Sequence, residues 1–312
     1  MLAARIFRRV SSSVIDEDLR RLGVRRGDAL LALVSLRSLG WVVGGPSVVA
    51  DSLIQAVGQQ GIVMTPCFAA LDPLPALPPD GVFDQGSAPS AAGAISEALR
   101  SRDGVLRSLH PVGSMAVSGL RAAEWIEGHE DHVTPFGPGT PLDRLVRSGG
   151  KILAVGTHLG PVLLYLQELA GFPFLYEHGE REAVVRARAG ASHLVRTRLF
   201  RSRSCQVVIL QGERPETRDY VLMRDYALVF PPDREAALLR GGYLRHNLGR
   251  LVGRLERLKQ RGVVRLGRVG NADAALIEGA PFCEQIGADL VWEVERFRDE
   301  YDPERLALFD LS

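Results

Sequence analysis

Short apolar runs alternate with amphipathic stretches along the first part of the chain. Residues 29–34 (ALLALV) and 61–65 (GIVMT) are continuous apolar runs, which are typical of strands covered on both faces. Between them, after Pro46, apolar positions recur at helical spacing until Gly58, and this predicts a helix. Strand, helix and strand in this order predict a βαβ unit, and therefore an α/β fold with a layered sheet.

The same patterns predict further elements along the rest of the chain. The predicted helices cover residues 16–22, 90–100, 162–169, most of 234–260, 271–279 and 280–300. The predicted strands cover residues 151–155 and 205–210. Residues 69–90 contain five prolines and few periodic positions, so we expect a long surface loop there. No repeat or linker stands out, which favours one domain over 1–312 with an irregular region at about 171–245.

Composition and charge exclude several classes of protein. The 38 basic and 37 acidic residues leave a net charge of +1, which disfavours a uniformly basic nucleic-acid binder. Three scattered cysteines support neither a disulfide framework nor a structural zinc site, and no metal is expected. No stretch reaches 18 apolar residues and the first residues do not resemble a secretion signal, so we expect a cytoplasmic protein without a membrane partner.

The loop after the first strand has the composition of an anion site. Residues 35–45 (SLRSLGWVVGG) lead from a strand end into a helix start, and Arg37 adds a fixed charge. Glycine amides and the N–H groups of a helix N-terminus bind phosphate groups. The pattern matches neither a Walker A sequence nor a dinucleotide fingerprint. The alternative is that Gly40, Gly44 and Gly45 only turn the chain.

Five segments in order resemble the aminoglycoside N(3)-acetyltransferase family. They are SLRSLGWVVGG at 35–45, FDQGSAPSAAGAISEALR at 83–100, HPVGSMAVSG at 110–119, TPFGPGTPLDRL at 134–145 and VGNADAALIEGA at 269–280. The resemblance implies the α/β fold of that family, with a central mixed sheet and flanking helices. It also implies acetyl-CoA as acyl donor and a small-molecule amine as acceptor.

The resemblance assigns most cofactor contacts to the first of these segments. Residues at 35–40 would hold the pyrophosphate and pantetheine of CoA, in agreement with the anion site: Ser35, Leu36, Arg37, Ser38, Leu39 and Gly40. Ser114, in the His-Pro-x-x-Ser match, would lie near the same cofactor. His110 of that match is a candidate base, and the alternative is a partly buried histidine that fixes its loop through hydrogen bonds.

The sequence departs from the family at the catalytic helix. Members carry a general-base His three residues before a Glu, whereas here Tyr165 precedes Glu168. A neutral His oriented by a carboxylate can take a proton near neutral pH, but Tyr, with a pKa of about 10, is a poor base. Three alternatives follow: His158 takes the place of the base, Tyr165 donates a hydrogen bond to the thioester oxygen, or the family chemistry is lost.

Cys67 follows the second strand in the string TPCF. A thiol beside an acyl thioester is a nucleophile if a nearby cation lowers its pKa. A lone Cys is more commonly a small buried apolar group. A Cys67-dependent acyl transferase or hydrolase is therefore a further alternative, beside a catalytically altered member that binds CoA or an acyl carrier protein.

The local charge of residues 183–212 differs from the neutral average. This stretch has six arginines and no Asp or Glu. A polycationic acceptor requires carboxylates rather than a basic surface. We therefore expect the acceptor to be an amine other than a typical aminoglycoside, unless the arginines only form a solvated surface. A homodimer is left open.

Overall fold

A computed structural model describes residues 9–72, 74–157, 159–171, 175–200 and 257–288. Its helices are short, and most of them cover a central sheet. The α-helices are α1 (Ser12–Leu22), α2 (Leu36–Leu39), α3 (Gly45–Val57), α4 (Ala94–Arg100), α5 (Ala122–Ile126), α6 (Pro141–Arg147) and α7 (Gly160–Leu169). A 3-10 turn covers His129–Asp131, and residues 257–260 and 279–288 are helical as well.

Strands make up three separate sheets. They are β1 (Ala29–Val34), β2 (Ile62–Pro66), β3 (Ala70–Asp72), β4 (Leu74–Ala76), β5 (Val82–Asp84), β6 (Leu106–Arg107), β7 (Met115–Ser118), β8 (Lys151–Val155), β9 (Arg181–Arg186), β10 (Ser192–Thr197), β11 (Val264–Val269) and β12 (Ala272–Glu278). Seven of them form the central sheet in the order β11-β12-β8-β1-β2-β7-β6. The smaller sheets are β10-β9-β5 and β3-β4.

The central sheet is mixed, with a parallel centre and antiparallel flanks. β1 pairs in parallel with both β2 and β8. β12 and β7 pair antiparallel to β8 and β2 on the two sides. The carboxyl ends of β1, β2 and β8 therefore lie at one edge of the sheet, which is where ligands bind in many sheets of this kind. The predicted α/β fold with a central mixed sheet is confirmed.

Each face of the sheet is covered by its own apolar core. Along β1, Leu31 and Leu33 belong to one core, while Leu30 and Ala32 belong to the other. Side chains of a strand alternate between faces, so a continuous apolar run is required wherever both faces are covered. The apolar runs that predicted β1 and β2 therefore arise from burial on both sides.

Two predicted elements were wrong. Residues 69–90 were expected to lack secondary structure, but they contain the short strands β3, β4 and β5. Residues 271–279 were expected to be helical, but Ala272–Glu278 is strand β12. Its alanines favour a helix in isolation, whereas pairing with β8 and β11 and burial between the two cores favour the strand.

Other predictions agree with the structure over the described residues. The predicted helices at 16–22, 90–100 and 162–169 and the strand at 151–155 are present with small shifts of their ends. The strand at 205–210 and most of the helix at 234–260 lie outside the described residues, and only part of the region at 171–245 lies within them. The single domain over 1–312 stays a prediction. No helix in the described residues is long and apolar enough to span a membrane.

Candidate active site

The loop after β1 is fixed to the loop after β8 by two serines. Ser35 caps α2 by accepting a hydrogen bond from the backbone N–H of Ser38 at 3.3 Å. The hydroxyl of Ser38 lies 3.0 Å from that of Ser35 and donates to the carbonyl of Gly156 at 2.9 Å. A Cβ at Gly156 would overlap Ser38, so the close contact requires glycine there. We call residues Ser35–Gly40 the β1 loop.

The β1 loop leads into a helix start with free hydrogen-bonding capacity. α3 begins at Gly45 with Pro46 in its first turn, and no side chain caps its N-terminus. The first N–H groups of a helix lack partners within the helix and carry the positive end of its dipole. Arg37 is exposed, whereas Leu39 is buried and fixes the loop to the core. This arrangement suits an anionic group such as a pyrophosphate.

Ser114 lies beneath the neighbouring loop, after β2. It is completely buried, and its hydroxyl donates to the carbonyl of Cys67 and accepts from Arg107 Nε at 3.2 Å. Arg107 is also buried; it donates to the same carbonyl, and its guanidinium lies 4.7 Å from the centre of the Phe83 ring. These contacts support the end of β2. The predicted contact between Ser114 and CoA stays a prediction.

Cys67 is completely buried at the end of β2. Burial raises the pKa of its thiol, and the nearby Arg107 guanidinium offsets this only in part. A nucleophilic cysteine instead needs a lowered pKa and access to its substrate. The geometry therefore favours the interpretation of Cys67 as a packed apolar residue.

Tyr165 is directed into the core beneath α7. It is 2% exposed, and its hydroxyl donates to Asp143 Oδ1 at 2.8 Å. Burial, followed by the hydrogen bond to Asp143 and its charge, raises the pKa of Tyr165 well above its usual value. A phenol in this environment does not accept a proton near neutral pH, and its hydrogen is already donated within the protein. The geometry therefore gives Tyr165 a structural role.

Glu168, one helical turn further along α7, lies in a polar cluster. Tyr176 donates a hydrogen bond to Glu168 Oε2, and the hydroxyl of Thr134 is a second donor to the carboxylate. A Cβ at Gly137 would overlap Glu168 Oε1, so the carboxylate packs directly on the backbone of that loop. Burial raises the pKa of Glu168, and these hydrogen bonds and the charges of Arg198 and His132 oppose the shift. We call Glu168, Thr134, Tyr176, His132 and Arg198 the Glu168 cluster.

His110 forms part of a buried layer behind this cluster. It is completely buried, and its Nδ1 accepts hydrogen bonds from the backbone N–H groups of Val112 and Gly113 at 3.2 and 3.0 Å. Its Nε2 lies 3.4 Å from the hydroxyl of Thr197. Burial lowers the pKa of His110 to about 3. These contacts favour the interpretation in which His110 fixes its loop, rather than the one in which it acts as a base.

A second buried histidine stacks on His110. The ring centres of His110 and His129 are 4.8 Å apart. His129 Nδ1 is bonded to Ser108 Oγ at 2.8 Å, and its Nε2 to the carbonyl of Pro135 at 3.0 Å. Burial lowers the pKa of His129 as well, and its pKa is further lowered by the charge of His110. Both rings are therefore neutral near pH 7, and they form a wall behind residues 132–135.

The remaining site predictions divide into those the structure describes and those it does not. His158 lies outside the described residues. The sequence did not single out four members of the Glu168 cluster: His132, Thr134, Tyr176 and Arg198. His132 and Thr134 lie beside or within the TPFGPGTPLDRL segment, which was the available signal for them. Tyr176 and Arg198 come from the irregular region, where no motif marks them. No group of three or more potential metal ligands occurs in the described part of the chain.

Acidic residues offset part of the arginine-rich stretch. The described part of 183–212 forms β10 and most of β9, which pair as antiparallel strands. Arg196 lies 3.5 Å from Glu180 and faces Glu182 across the pair. Arg181 lies 3.5 Å from Glu177. The acids of this hairpin come just before residue 183, so the described hairpin is less basic than the stretch alone indicates.

Comparisons with known proteins agree with this architecture. Residues 31–288 match the family model for aminoglycoside 3-N-acetyltransferases, which is most of the chain. The chain belongs to this family. Aminoglycoside N(3)-acetyltransferase IX of Micromonospora chalcea is 28% identical over 87% of this chain and 90% of its own length. Aminoglycoside N(3)-acetyltransferase VII of Streptomyces paromomycinus is 26% identical over 94% and 95% of the two chains.

Solved structures of aminoglycoside acetyltransferases share the fold. AAC(3)-Xa superposes with a TM-score of 0.64 at 26% identity and covers 93% of this chain and 94% of its own. AAC-IIIb, solved as a binary complex with CoASH, gives a TM-score of 0.63 at 21% identity over 93% and 97% of the two chains. This family membership supports an N-acetyltransferase enzyme.

Proposed function

We propose that the chain transfers an acetyl group from acetyl-CoA to an amine of a small molecule. The observation that carries this proposal is the β1 loop, which is fixed to Gly156 and leads into the uncapped start of α3. It forms an anion site at the carboxyl edge of β1 and β8. α7, which carries Glu168, begins after β8 at the same edge.

The residues of the β1 loop suit CoA. Arg37 and the free N–H groups of α3 would hold phosphate oxygens, and the backbone of residues 35–40 would line the pantetheine. Bound acetyl-CoA would supply the acyl group as a thioester. The chain's own residues would hold the acceptor amine near Glu168 and remove its proton. A solved relative carries CoASH in its printed description, which supports this assignment.

The charge of the Glu168 cluster bears on the acceptor. Printed descriptions of solved relatives name sisomicin and a gentamicin as bound molecules. In this chain Arg198, an exposed residue, contributes a positive charge beside Glu168 and competes with a cationic acceptor for the carboxylate. This observation supports the second part of the proposal, in which the preferred amine is less cationic than a typical aminoglycoside.

The proposed reaction is tested by calorimetry and by turnover. We expect CoA and acetyl-CoA to bind to the purified chain, and the absence of binding at millimolar ligand would contradict the proposal. CoA thiol release is then measured with sisomicin, gentamicin and an amino-sugar nucleotide as acceptors. Faster turnover of the amino-sugar nucleotide supports the less cationic acceptor, and faster turnover of the two aminoglycosides rejects it.

The alternatives predict different results in the same assays. A catalytically altered member that binds CoA or an acyl carrier protein would bind CoA without turnover of any amine. A Cys67-dependent enzyme would lose turnover in Cys67→Ala, whereas the proposed reaction retains it. Burial of the Cys67 thiol and its raised pKa favour retention.

A further inference from the structure

The chain lacks the family's base on α7 but keeps the carboxylate that would orient it. The hydroxyl of Tyr165 is bonded to Asp143 in the core, and Glu168 remains in its polar cluster at the loop that contains Gly137. A carboxylate with two hydroxyl donors and no base beside it would have no use in proton transfer. A histidine from another element is therefore needed, if the proposed reaction takes place.

Among the described histidines near this carboxylate, only His132 is suitably placed. His110 and His129 are completely buried, and the ring nitrogens of both are engaged. His132 is half-buried, and its ring packs against Gly139, where a Cβ would lie 2.8 Å from His132 Cε1. Its ring centre is 6.4 Å from that of His129, which places His132 in front of the buried pair.

The backbone directs His132 and Thr134 to the same side. His132 has extended dihedral angles, φ −87° and ψ 128°. Side chains two residues apart on an extended segment project from the same face. The carbonyl of Val133, between them, accepts a hydrogen bond from the N–H of Arg198 at 2.8 Å and ties the segment to β10. Since Thr134 donates to Glu168, the ring of His132 lies on the side of that carboxylate.

We propose that His132, oriented and charge-stabilised by Glu168, is the general base of this chain in place of the histidine that the family carries on α7. The inference rests on the proposed function. It assigns the base to the loop that follows the 3-10 turn, rather than to the catalytic helix. It also gives the carboxylate of Glu168 a partner from a segment 36 residues earlier in the chain.

The proton transfer balances with the groups present. The lone pair of the acceptor nitrogen forms a bond to the thioester carbon, and the bond from that carbon to sulfur breaks. The proton of the nitrogen passes to the neutral ring of His132, whose positive charge Glu168 stabilises. The same proton then neutralises the departing thiolate, which leaves as the free thiol of CoA. The products are an amide and CoA, and His132 is neutral again.

Four charged or titratable groups face His132 from the elements around it. Glu168 of α7 stabilises the protonated ring, and Arg198 after β10 opposes this. His110 and His129 lie behind it and are neutral near pH 7, since burial lowers the pKa of both. The balance therefore depends mainly on Glu168 and Arg198.

Kinetics of matched histidine variants test the proposal. We expect His132→Gln to lower kcat about 100-fold with the KM for acetyl-CoA unchanged, because a positioned base contributes about 10²–10⁴-fold. Imidazole added to His132→Ala is expected to restore part of kcat, which a structural role would not allow. His193→Gln, an exposed histidine on β10, serves as the control and should leave kcat unchanged. Retained kcat in His132→Gln, or its loss in His158→Gln alone, would overturn the proposal.

A second readout does not depend on turnover. Diethyl pyrocarbonate reacts with neutral, accessible imidazoles, and mass spectrometry locates the product on each peptide. We expect reaction at His132 and none at the buried His110 and His129. Glu168→Gln is expected to shift the pH profile of this reaction to lower pH, because the carboxylate no longer favours the protonated ring. Identical profiles with and without the carboxylate would refute the pairing.

The two readouts distinguish failure of the inference from failure of the proposed function. No turnover of any amine by the wild-type chain would fail the proposed function, and with it any base role. Wild-type turnover that His132→Gln retains would fail only the role of His132. Circular dichroism of each variant shows that it is folded, and His132→Asn provides a second substitution of similar polarity.

Discussion

The β1 loop and the Glu168 cluster lie along the same edge of the sheet, but they are built differently. In the β1 loop, Ser35 and Ser38 are three residues apart and bond to each other and to the loop after β8. The Glu168 cluster brings together side chains from α7, the segment after the 3-10 turn, and both ends of the β9–β10 hairpin. A local motif can be preserved as a string, whereas a cluster of distant residues can change its members and keep its carboxylate.

The largest expected difference between the two regions is in turnover. Glu168→Gln removes the charge that would stabilise a protonated base but keeps the size and part of the hydrogen bonding of the side chain. We expect kcat to fall about 100-fold, within the range for general acid–base catalysis, while binding of acetyl-CoA at the β1 loop is unchanged. Steady-state kinetics and calorimetry measure the two quantities. Arg198→Gln is the comparison, since it alters the charge beside the carboxylate but removes no catalytic group; an equal loss of kcat there would contradict the assignment.

The regions should also differ in their response to acid, because only the Glu168 cluster rests on buried histidines. The pKa of His110 is about 3 in the folded chain, owing chiefly to burial, against about 6.5 when unfolded. The unfolded chain therefore binds more protons between these values, and stability falls as the pH drops below about 6.5. His110 alone is expected to cost about 2 kcal/mol between pH 7 and pH 5.

Urea unfolding at pH 7, 6 and 5 measures this loss. The pair with His129, whose pKa is also lowered, should increase it. His193→Gln is again the matched control, since an exposed histidine should leave the slope with pH unchanged. A stability that does not vary over this range would contradict the neutral, buried state of the pair.

A smaller effect, confined to binding, is expected from the β1 loop. Arg37→Ala removes an exposed charge that we place near the phosphates of CoA. We expect the dissociation constant of CoA to rise about 10-fold, or about 1.4 kcal/mol, which is typical of the loss of one charge-assisted hydrogen bond. The effect should weaken at high salt. Arg121→Ala, an exposed arginine on the N-terminal side of α5, is the control; equal weakening there would indicate only a general charge effect.

The sequence predicted the β1 loop better than the Glu168 cluster for a physical reason. A strand end, a short helix and a glycine-rich helix start are local patterns, and most of their hydrogen bonds join residues close in the sequence. Tyr176 and Arg198 reach Glu168 only because the hairpin β9–β10 docks on residues 133 and 168, and no local pattern encodes that docking. The arginine-rich stretch shows the same limit, since its counter-charges Glu177 and Glu180 precede it and contact it only in the fold.

The family resemblance and the periodic patterns also differed in reach. VGNADAALIEGA was matched correctly to the family, yet its alanines led to the wrong prediction of a helix at β12. Local propensity is weak where a strand is buried between two layers, because packing on both faces decides the structure. The resemblance also identified position 165 as altered, but only the contact with Asp143 explains what Tyr165 does there.

The smallest predicted effect concerns that contact. Tyr165→Phe removes one hydrogen bond from Asp143, which keeps a backbone partner at Gly139 and an ion pair with Arg147. We expect a loss of about 1 kcal/mol in the free energy of unfolding, as for a typical buried hydrogen bond, with kcat within about twofold of the wild type. Urea unfolding and steady-state kinetics measure the two. If kcat fell 100-fold while stability was retained, the hydroxyl of Tyr165 would take part in the reaction, and the assignment of the base to the loop before Gly137 would have to be abandoned. A retained kcat combined with a lower stability would instead place α7 in the fold's framework and leave Glu168 as its one contribution to the chemistry.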